Sequence, residues 1–315
     1  AELSRMLPSF KVTQLLASGV SSAVYVARQK SLDRNVAIKV MPGREGPARN
    51  RFEKEARAMA KLRHPNLIGV HDFGEANGFL YLVMDFVDGK SLRRSTRGEA
   101  IDQKTALKLI LSICEGLAHA HKAGIIHQAI KPDNILIGSN LEPRVGDFGL
   151  THHGESGAAS AAGLDHIALQ YAAPEVANKR ARADRRSDVY SLGVLLHELL
   201  TGQLPDGSFT PPLRSREQRL DPRFEKILQR AMHPSPGKRF SDARALQEDL
   251  KPLLKNLGQG NLMTRDSEVP ESGESSAGAK ESQHRAVQQS ETLAAMAATE
   301  SRRYDRLITV KILVI

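Results

Sequence analysis

His127-Gln128-Ala129-Ile130-Lys131-Pro132-Asp133-Asn134 decides the reading of this chain, together with the short motifs on either side of it. Downstream stand Asp147-Phe148-Gly149 and Ala173-Pro174-Glu175. Upstream stand Val36-Ala37-Ile38-Lys39 and a helix-forming segment that carries Glu55. Any one of these arises easily by chance, but five in this order and at this spacing do not. The residue types share a chemistry. A lysine on a strand is a point-like cation suited to phosphate, and Asn and Asp are the hard oxygen ligands that Mg2+ prefers.

Working outward, residues 10–17, 23–29, 35–40 and 79–86 are β-branched or aromatic runs separated by turn residues, and they read as strands. Between them residues 47–63 are rich in helix formers, with Pro47 near the start. From about residue 102 the period changes. Leu107, Ile110, Leu111, Cys114, Leu117 and Ala118 recur at three and four, which predicts one apolar helix face with Asp102 as N-cap. Further helices are expected near 187–200, 221–232 and 241–255, while Pro211 and Pro212 forbid a regular helix through that point. The fold class is therefore α+β, a strand-rich lobe ahead of a helical one.

The order and spacing of the five motifs resemble the protein kinase family, and within it the bacterial serine/threonine kinases of eukaryotic type, over roughly residues 10–255. The resemblance implies a bilobal protein-kinase fold. Residues 10–87 would form an N-lobe with a small antiparallel sheet and one helix, and 88–255 a larger helical C-lobe. It implies ATP and Mg2+ as ligands. Lys39 would bind the α- and β-phosphates and pair with Glu55, Asn134 and Asp147 would hold the metal, and Lys131 would neutralise the γ-phosphate. Ala17 and Gly19 would belong to the loop over the phosphates. Val24, Ala37 and Leu136 would sandwich the adenine, and Met84 would stand as gatekeeper before a hinge from Asp85 to Val87. Met59, Val70, His127 and Phe148 fall where such kinases stack an apolar spine. Glu175 is expected to pair with Arg239, and Asp188 to hold the backbone of the catalytic loop. Taken singly, each of these charges reads as a surface charge or a polar cap.

The pattern also breaks. Where the family has His-Arg-Asp, this chain has His127-Gln128-Ala129. Ala129 has no oxygen with which to take a proton from a hydroxyl, and loss of a positioned general base costs about 10²–10⁴-fold in rate. Gln128 cannot offer a charged bidentate clamp to a phosphorylated loop. The Gly-Thr-x-x-Tyr expected before Ala-Pro-Glu becomes Ile167, Ala168 and Tyr171, so the threonine partner of the aspartate is also gone, and restoring aspartate alone is expected to restore little. The phosphate loop reads Ala17-Ser18-Gly19-Val20-Ser21-Ser22, with two of its three glycines replaced. On these grounds the chain is expected to be a pseudokinase and not an enzyme. It would bind ATP and Mg2+ and act as a signalling scaffold or allosteric partner-binding module. Two alternatives stand beside this: a weakly active serine/threonine kinase without its general base, and a structural interaction domain whose nucleotide pocket stays empty.

The bulk properties set the remaining limits. The chain has 315 residues, 40% hydrophobic but only 4% aromatic and without Trp, so its core must rest on aliphatic side chains. Residues 256–315 carry 7 Lys/Arg against 8 Asp/Glu. That leaves 38 against 28, or +10, in residues 1–255 of a chain whose net charge is +9. No nucleic-acid partner is expected, since no aromatic-interleaved basic patch or zinc-finger spacing accompanies the charge. Protein partners are. Cys114 reads as a small core residue, and a single cysteine fits a reducing, cytoplasmic setting. His152-His153 invites a metal reading, but no third ligand is apparent and two solvated histidines are expected. Residues 256–306 read as a Gly/Ser/Glu-rich flexible linker with a helical stretch near its end, and 307–315 as an apolar end that closes on ITVKILVI. Arg302, Arg303 and Arg306 before that run fit the cytoplasmic flank of a membrane segment continuing past Ile315. The missing initiator Met fits a fragment of a longer protein.

Overall fold

A short helix α1 (Glu2–Met6) leads into three strands, β1 (Phe10–Ser18), β2 (Ala23–Gln29) and β3 (Arg34–Pro42). Helix α2 (Gly46–Met59) follows, then β4 (Val70–Ala76) and β5 (Phe79–Asp85). These strands form one antiparallel sheet in the order β1-β2-β3-β5-β4. The structure, a computed structural model, describes residues 2–19, 22–43, 45–148, 166–178, 182–206, 213 and 219–259. Strand β3 is buried on both faces, which is why its sequence from Val36 to Met41 is apolar apart from Lys39 rather than an alternation. Val36, Ile38 and Val40 face one cluster with Phe10, Tyr25 and Val83, under Leu3, Met6 and Leu7 from the first turn of chain. Met41, on the alternate register, joins the main core with Phe52, Met59 and Leu82.

The chain then passes through β6 (Gly89–Ser91) and α3 (Leu92–Thr96) into the long helix α4 (Gln103–Lys122). Asp102 caps α4, its side chain accepting from the Thr105 N–H at 2.8 Å, as expected. Strands β7 (Ile135–Gly138) and β8 (Pro143–Val145) pair with β6 in a second small sheet, order β6-β7-β8. Helices α5 (His166–Tyr171), α6 (Pro174–Ala177), α7 (Arg185–Thr201), α8 (Arg223–Ala231) and α9 (Ala243–Gln259) complete the lobe. Helix α7 is buried from Val189 to Leu200 apart from Tyr190, and a helix buried all round belongs in a core. Cys114 is fully buried.

Four differences from the sequence reading stand out. Strand β4 reads VHDFGEA, too polar to be taken for a strand. It lies at the sheet edge, where part of its side chains meet water. The short β6, β7 and β8 exist only by pairing with each other. Residues 166–171 before the Ala-Pro-Glu motif are helical. Helix α9 runs to Gln259, so 256–259 are helix and not linker. Val20, Ser21, His152, His153, Pro211, Pro212 and the whole of 260–315 lie outside the described residues. Among the described residues no helix is long and apolar enough to cross a membrane.

Candidate active site

Asp188 is the anchor of the loop that the sequence reading singled out. It sits in the first turn of α7 with no exposed surface. Its carboxylate accepts from the backbone N–H groups of His127 and Gln128, each at 2.8 Å, and from His121 Nε2 at 2.9 Å. The histidine tautomers follow from their other partners. His121 Nδ1 accepts from the Ala243 N–H at 3.4 Å, so Nε2 carries the proton given to Asp188. His127 Nδ1 accepts from the Ala129 N–H at 3.1 Å, so its Nε2–H donates to the Gly146 carbonyl at 2.9 Å.

His127 also stacks on Phe148, with centroids 4.4 Å apart, and Met59, Val70 and Phe148 share one buried core, as the expected spine requires. Gly146 allows the close approach: a Cβ there would come within 2.6 Å of Ile68. Burial pushes the His127 pKa below the usual imidazole value of 6.5. Below pH 6.5 the unfolded chain therefore takes up a proton that the native state does not, and stability must fall as the solution is acidified. His64, also lowered mainly by burial, adds the same sign. Unfolding free energies from urea denaturation are expected to be lower at pH 5.5 than at pH 7.5, in the direction that His127 sets. His127→Phe should flatten that slope.

Two residues bordering the site have positive φ: Gln128 at 64° and Asp147 at 59°. The other four such non-glycine residues described lie in turns or at a helix end. Left-handed backbone at these two costs about 1–3 kcal/mol each and persists only where surroundings hold it. Asp188 does this for Gln128. Ala129, half-buried, is fixed on both sides: its N–H goes to His127, and its carbonyl accepts from Asn134 Nδ2 at 2.7 Å. The Asn134 carbonyl in turn accepts from the Gly146 N–H at 2.9 Å, tying this loop to Asp147.

Lys39 is 6% exposed, and its ammonium pairs with Asp147 Oδ1 at 2.6 Å. This replaces the expected pairing with Glu55. A buried ammonium requires a counter-charge, and Asp147 supplies it. Helix α2, which carries the half-buried Glu55, is tied instead to β4. Arg49 bridges to Glu75 at 2.8 Å, Phe52 meets Phe73 edge-on at 6.3 Å, and Arg57 lies over the Phe73 ring. In the sheet register Val24 faces Lys39, and Ala37 faces Met84. Leu136 lies on β7 opposite Ser91, and half-buried Val87 ends the hinge. The Asp85 carboxylate is committed to the Gly69 N–H at 2.9 Å and His71 Nε2 at 2.8 Å, with Arg144 at 3.8 Å. Its side chain therefore braces the hinge. Ala17 and Gly19 are exposed at the β1–β2 turn, where the Gly19 N–H donates to the Ser22 carbonyl at 2.8 Å. Lys131 is half-buried at the start of the short turn through Asn134.

Sequence reasoning missed a cluster below the loop. Arg93 of α3 bonds to Glu198, donates to Tyr171 Oη at 2.7 Å and lies 3.6 Å from Asp133. Tyr171 also donates to Glu198. Burial and the neighbouring Glu198 carboxylate raise the Tyr171 pKa. The available signal was Glu198 itself, an acid on a helix with no polar face. Glu175 and Arg239 form the expected pair through two bonds of 2.8 Å, and the arginine outweighs burial to lower the Glu175 pKa. Among the described residues no group of three or more His, Cys, Asp or Glu is placed to hold a metal.

With this geometry in hand, the similarities are specific. Residues 10–268 match the Protein kinase domain family. The chain is 35% identical over 269 residues to the serine/threonine-protein kinase PknL of Mycobacterium tuberculosis, covering 79% of this chain and 66% of that protein. It is 35% identical over 268 residues to the serine/threonine-protein kinase PknB of Mycolicibacterium smegmatis, covering 76% and 42%. To the serine/threonine-protein kinase PrkC of Bacillus subtilis it is 31% identical, covering 78% and 41%. It thus spans between about two fifths and two thirds of the length of these relatives. Among solved structures, the kinase domain of PknI from Mycobacterium tuberculosis superposes with a TM-score of 0.65 at 25% identity, covering 78% of this chain and 96% of that one. The protein-kinase fold and the bacterial eukaryotic-like type expected from the motifs are borne out. The expectation of a non-enzyme is not: the relatives are named as serine/threonine-protein kinases, and they overturn it. That expectation gave Ala129 and the changes that go with it, Gln128, Ala168 and the lost glycines, too much weight, because phosphoryl transfer rests mainly on positioning and charge stabilisation, to which a base adds a bounded factor. With the family matched over most of its length, a sheet lobe and a helical lobe joined at Asp85–Val87, and the Lys39, Asn134 and Asp147 constellation between them, this chain belongs to the protein kinase domain family.

Proposed function

We propose that this chain is a slow serine/threonine protein kinase, using ATP and Mg2+ without a general base at position 129. The observation that carries the reading is the 2.6 Å Lys39–Asp147 pair beside Asn134, which gathers a phosphate-binding cation and two oxygen ligands at one seam. The family uses ATP and Mg2+, and the donors here suit them. Asn134 commits its NH2 to the Ala129 carbonyl and so keeps Oδ1 for a cation; Asp147 offers a carboxylate. Hard oxygens of this kind, few in number, match a metal that keeps waters and phosphate oxygens as its other ligands. Bound there, Mg2+ would neutralise phosphate charge.

The chain's own residues divide the remaining work. Lys39 would leave Asp147 for the α- and β-phosphates, with Glu55 as its alternative partner. Lys131 would face the γ-phosphate. Val24, Ala37 and Leu136 would hold the adenine, and Met84 with Val87 would border it. Gly19 and Ala17 would cover the phosphates. Ala129 does no proton transfer. Its rigid loop still fixes where the acceptor hydroxyl must stand, and positioning contributes independently of a base.

The test joins binding to turnover. With ATP and Mg2+ at a hundredfold excess over the dissociation constant, the chain should gain about 2.7 kcal/mol of stability. It should also transfer labelled phosphate slowly to serine or threonine of a generic basic protein. Lys39→Ala and Asp147→Asn should each lose both effects. No transfer from the parent would sink the proposal, and a melting shift that survives both substitutions would put the nucleotide elsewhere.

A further inference from the structure

The catalytic loop is built as though a carboxylate were still at position 129. Four backbone groups there are held: the Ala129 N–H by His127, its carbonyl by Asn134, and the two preceding N–H groups by Asp188. Gln128 is kept at a φ of 64° at an energetic cost that a loop without work would shed. At position 129 itself the backbone is in place and the carboxylate is missing, and Ala129 is partly open to solvent.

The two described aspartates closest in sequence do not stand in for it. Asp133 is turned to Arg93 at 3.6 Å, on the side of the Tyr171–Glu198 cluster. Asp147 is held by Lys39, and in the proposed reaction it is claimed by the metal. Lys131 lies two residues beyond Ala129, and the +10 balance of residues 1–255 favours an acidic partner for the chain as a whole.

From this, and resting on the kinase reading above, we infer that the substrate itself supplies the base: the preferred acceptors are serine or threonine with an Asp or Glu beside them, whose carboxylate enters the space over Ala129. The reaction balances without any other reagent. The acceptor hydroxyl oxygen bonds to the γ-phosphorus of ATP, and the bond from that phosphorus to the bridging oxygen breaks. ADP leaves with the electron pair, and the hydroxyl proton passes to the substrate carboxylate and then to water.

The experiment uses the full 315-residue chain and paired peptides that differ only in Asp or Glu against Asn or Gln next to one serine. The acidic peptides should show kcat higher by about 10–10²-fold, less than a fully preorganised base provides. Added formate should raise kcat on the amide peptides. In Ala129→Asp combined with Ala168→Thr the preference should collapse, because the chain then carries its own base. A difference confined to KM would overturn the inference, since that is simple attraction to a basic surface. Equal rates for both peptide types would overturn it as well. So would loss of activity on all peptides alike in a variant with Glu155→Gln and Asp165→Asn, the two acidic residues of 149–165 and outside the described residues, which would assign the base to the chain. Absence of transfer to any peptide from both the parent and the double variant would sink the kinase reading itself, and this inference with it.

Discussion

Ala129→Asp combined with Ala168→Thr is expected to raise kcat on an ordinary serine peptide by about 10²–10⁴-fold, with KM nearly unchanged. The backbone that would aim the new carboxylate is already in place. Asp188 fixes residues 127 and 128, and Asn134 fixes the carbonyl of 129 at 2.7 Å. A base acts on the proton only as the transition state forms, so the gain belongs in kcat. Ala129→Asp alone should yield a minor part of it, because the threonine that would hold the aspartate against Lys131 is absent from the half-buried position 168. Steady-state kinetics of parent, single and double variants decide this. A double variant that binds nucleotide as the parent does yet gains nothing would mean that the acceptor hydroxyl does not stand over residue 129.

The second large effect is on stability. Arg239→Ala is expected to cost about 3–5 kcal/mol, since removing one partner of a buried ion pair strands the other. For a domain of this size that lowers Tm by roughly 6–20 °C. Arg239 holds more than Glu175: its guanidinium also donates to the carbonyls of Arg186, His233 and Pro234, and it lies over the Tyr190 ring at 4.9 Å. Arg239→Lys should recover little, because an ammonium cannot make the two parallel bonds to the carboxylate. The pair also gives a pH signature. The native Glu175 carboxyl lies below its usual value, so its stabilisation is present above about pH 4.5 and is lost as the pH falls through the native pKa. Urea denaturation at pH 7 and pH 4 should therefore show the parent losing this contribution and Arg239→Ala having little left to lose. A Tm within 2 °C of the parent in Arg239→Ala would be incompatible with the buried geometry.

Much of this was open to reading before any coordinates. Motif order identified the lobes, the seam and Lys39, Asn134 and Asp147, because such motifs are local and each residue type carries its own chemistry. Periodicity placed α4, because a helix face repeats within one segment, and α7, α8 and α9 were also expected from the sequence. The short strands β6, β7 and β8 were not legible, since three- and four-residue runs become strands only by pairing with each other. Strand β4 was hidden by its edge position.

The missing base, Ala129, was likewise plain in the sequence, and its weight was misjudged there: a sequence shows which side chain is absent but not how completely the loop around it is still held. Only the folded chain decides that, and only it decides the partners of charges. Lys39 meets Asp147 rather than Glu55, Asp85 braces the hinge against Gly69 and His71, and Arg93 gathers Tyr171, Glu198 and Asp133. A side chain's chemistry is a property of its own atoms and is written in the sequence. Its partner is chosen by whichever opposite charge the packing brings within about 4 Å once both have left water, and that choice exists only in three dimensions.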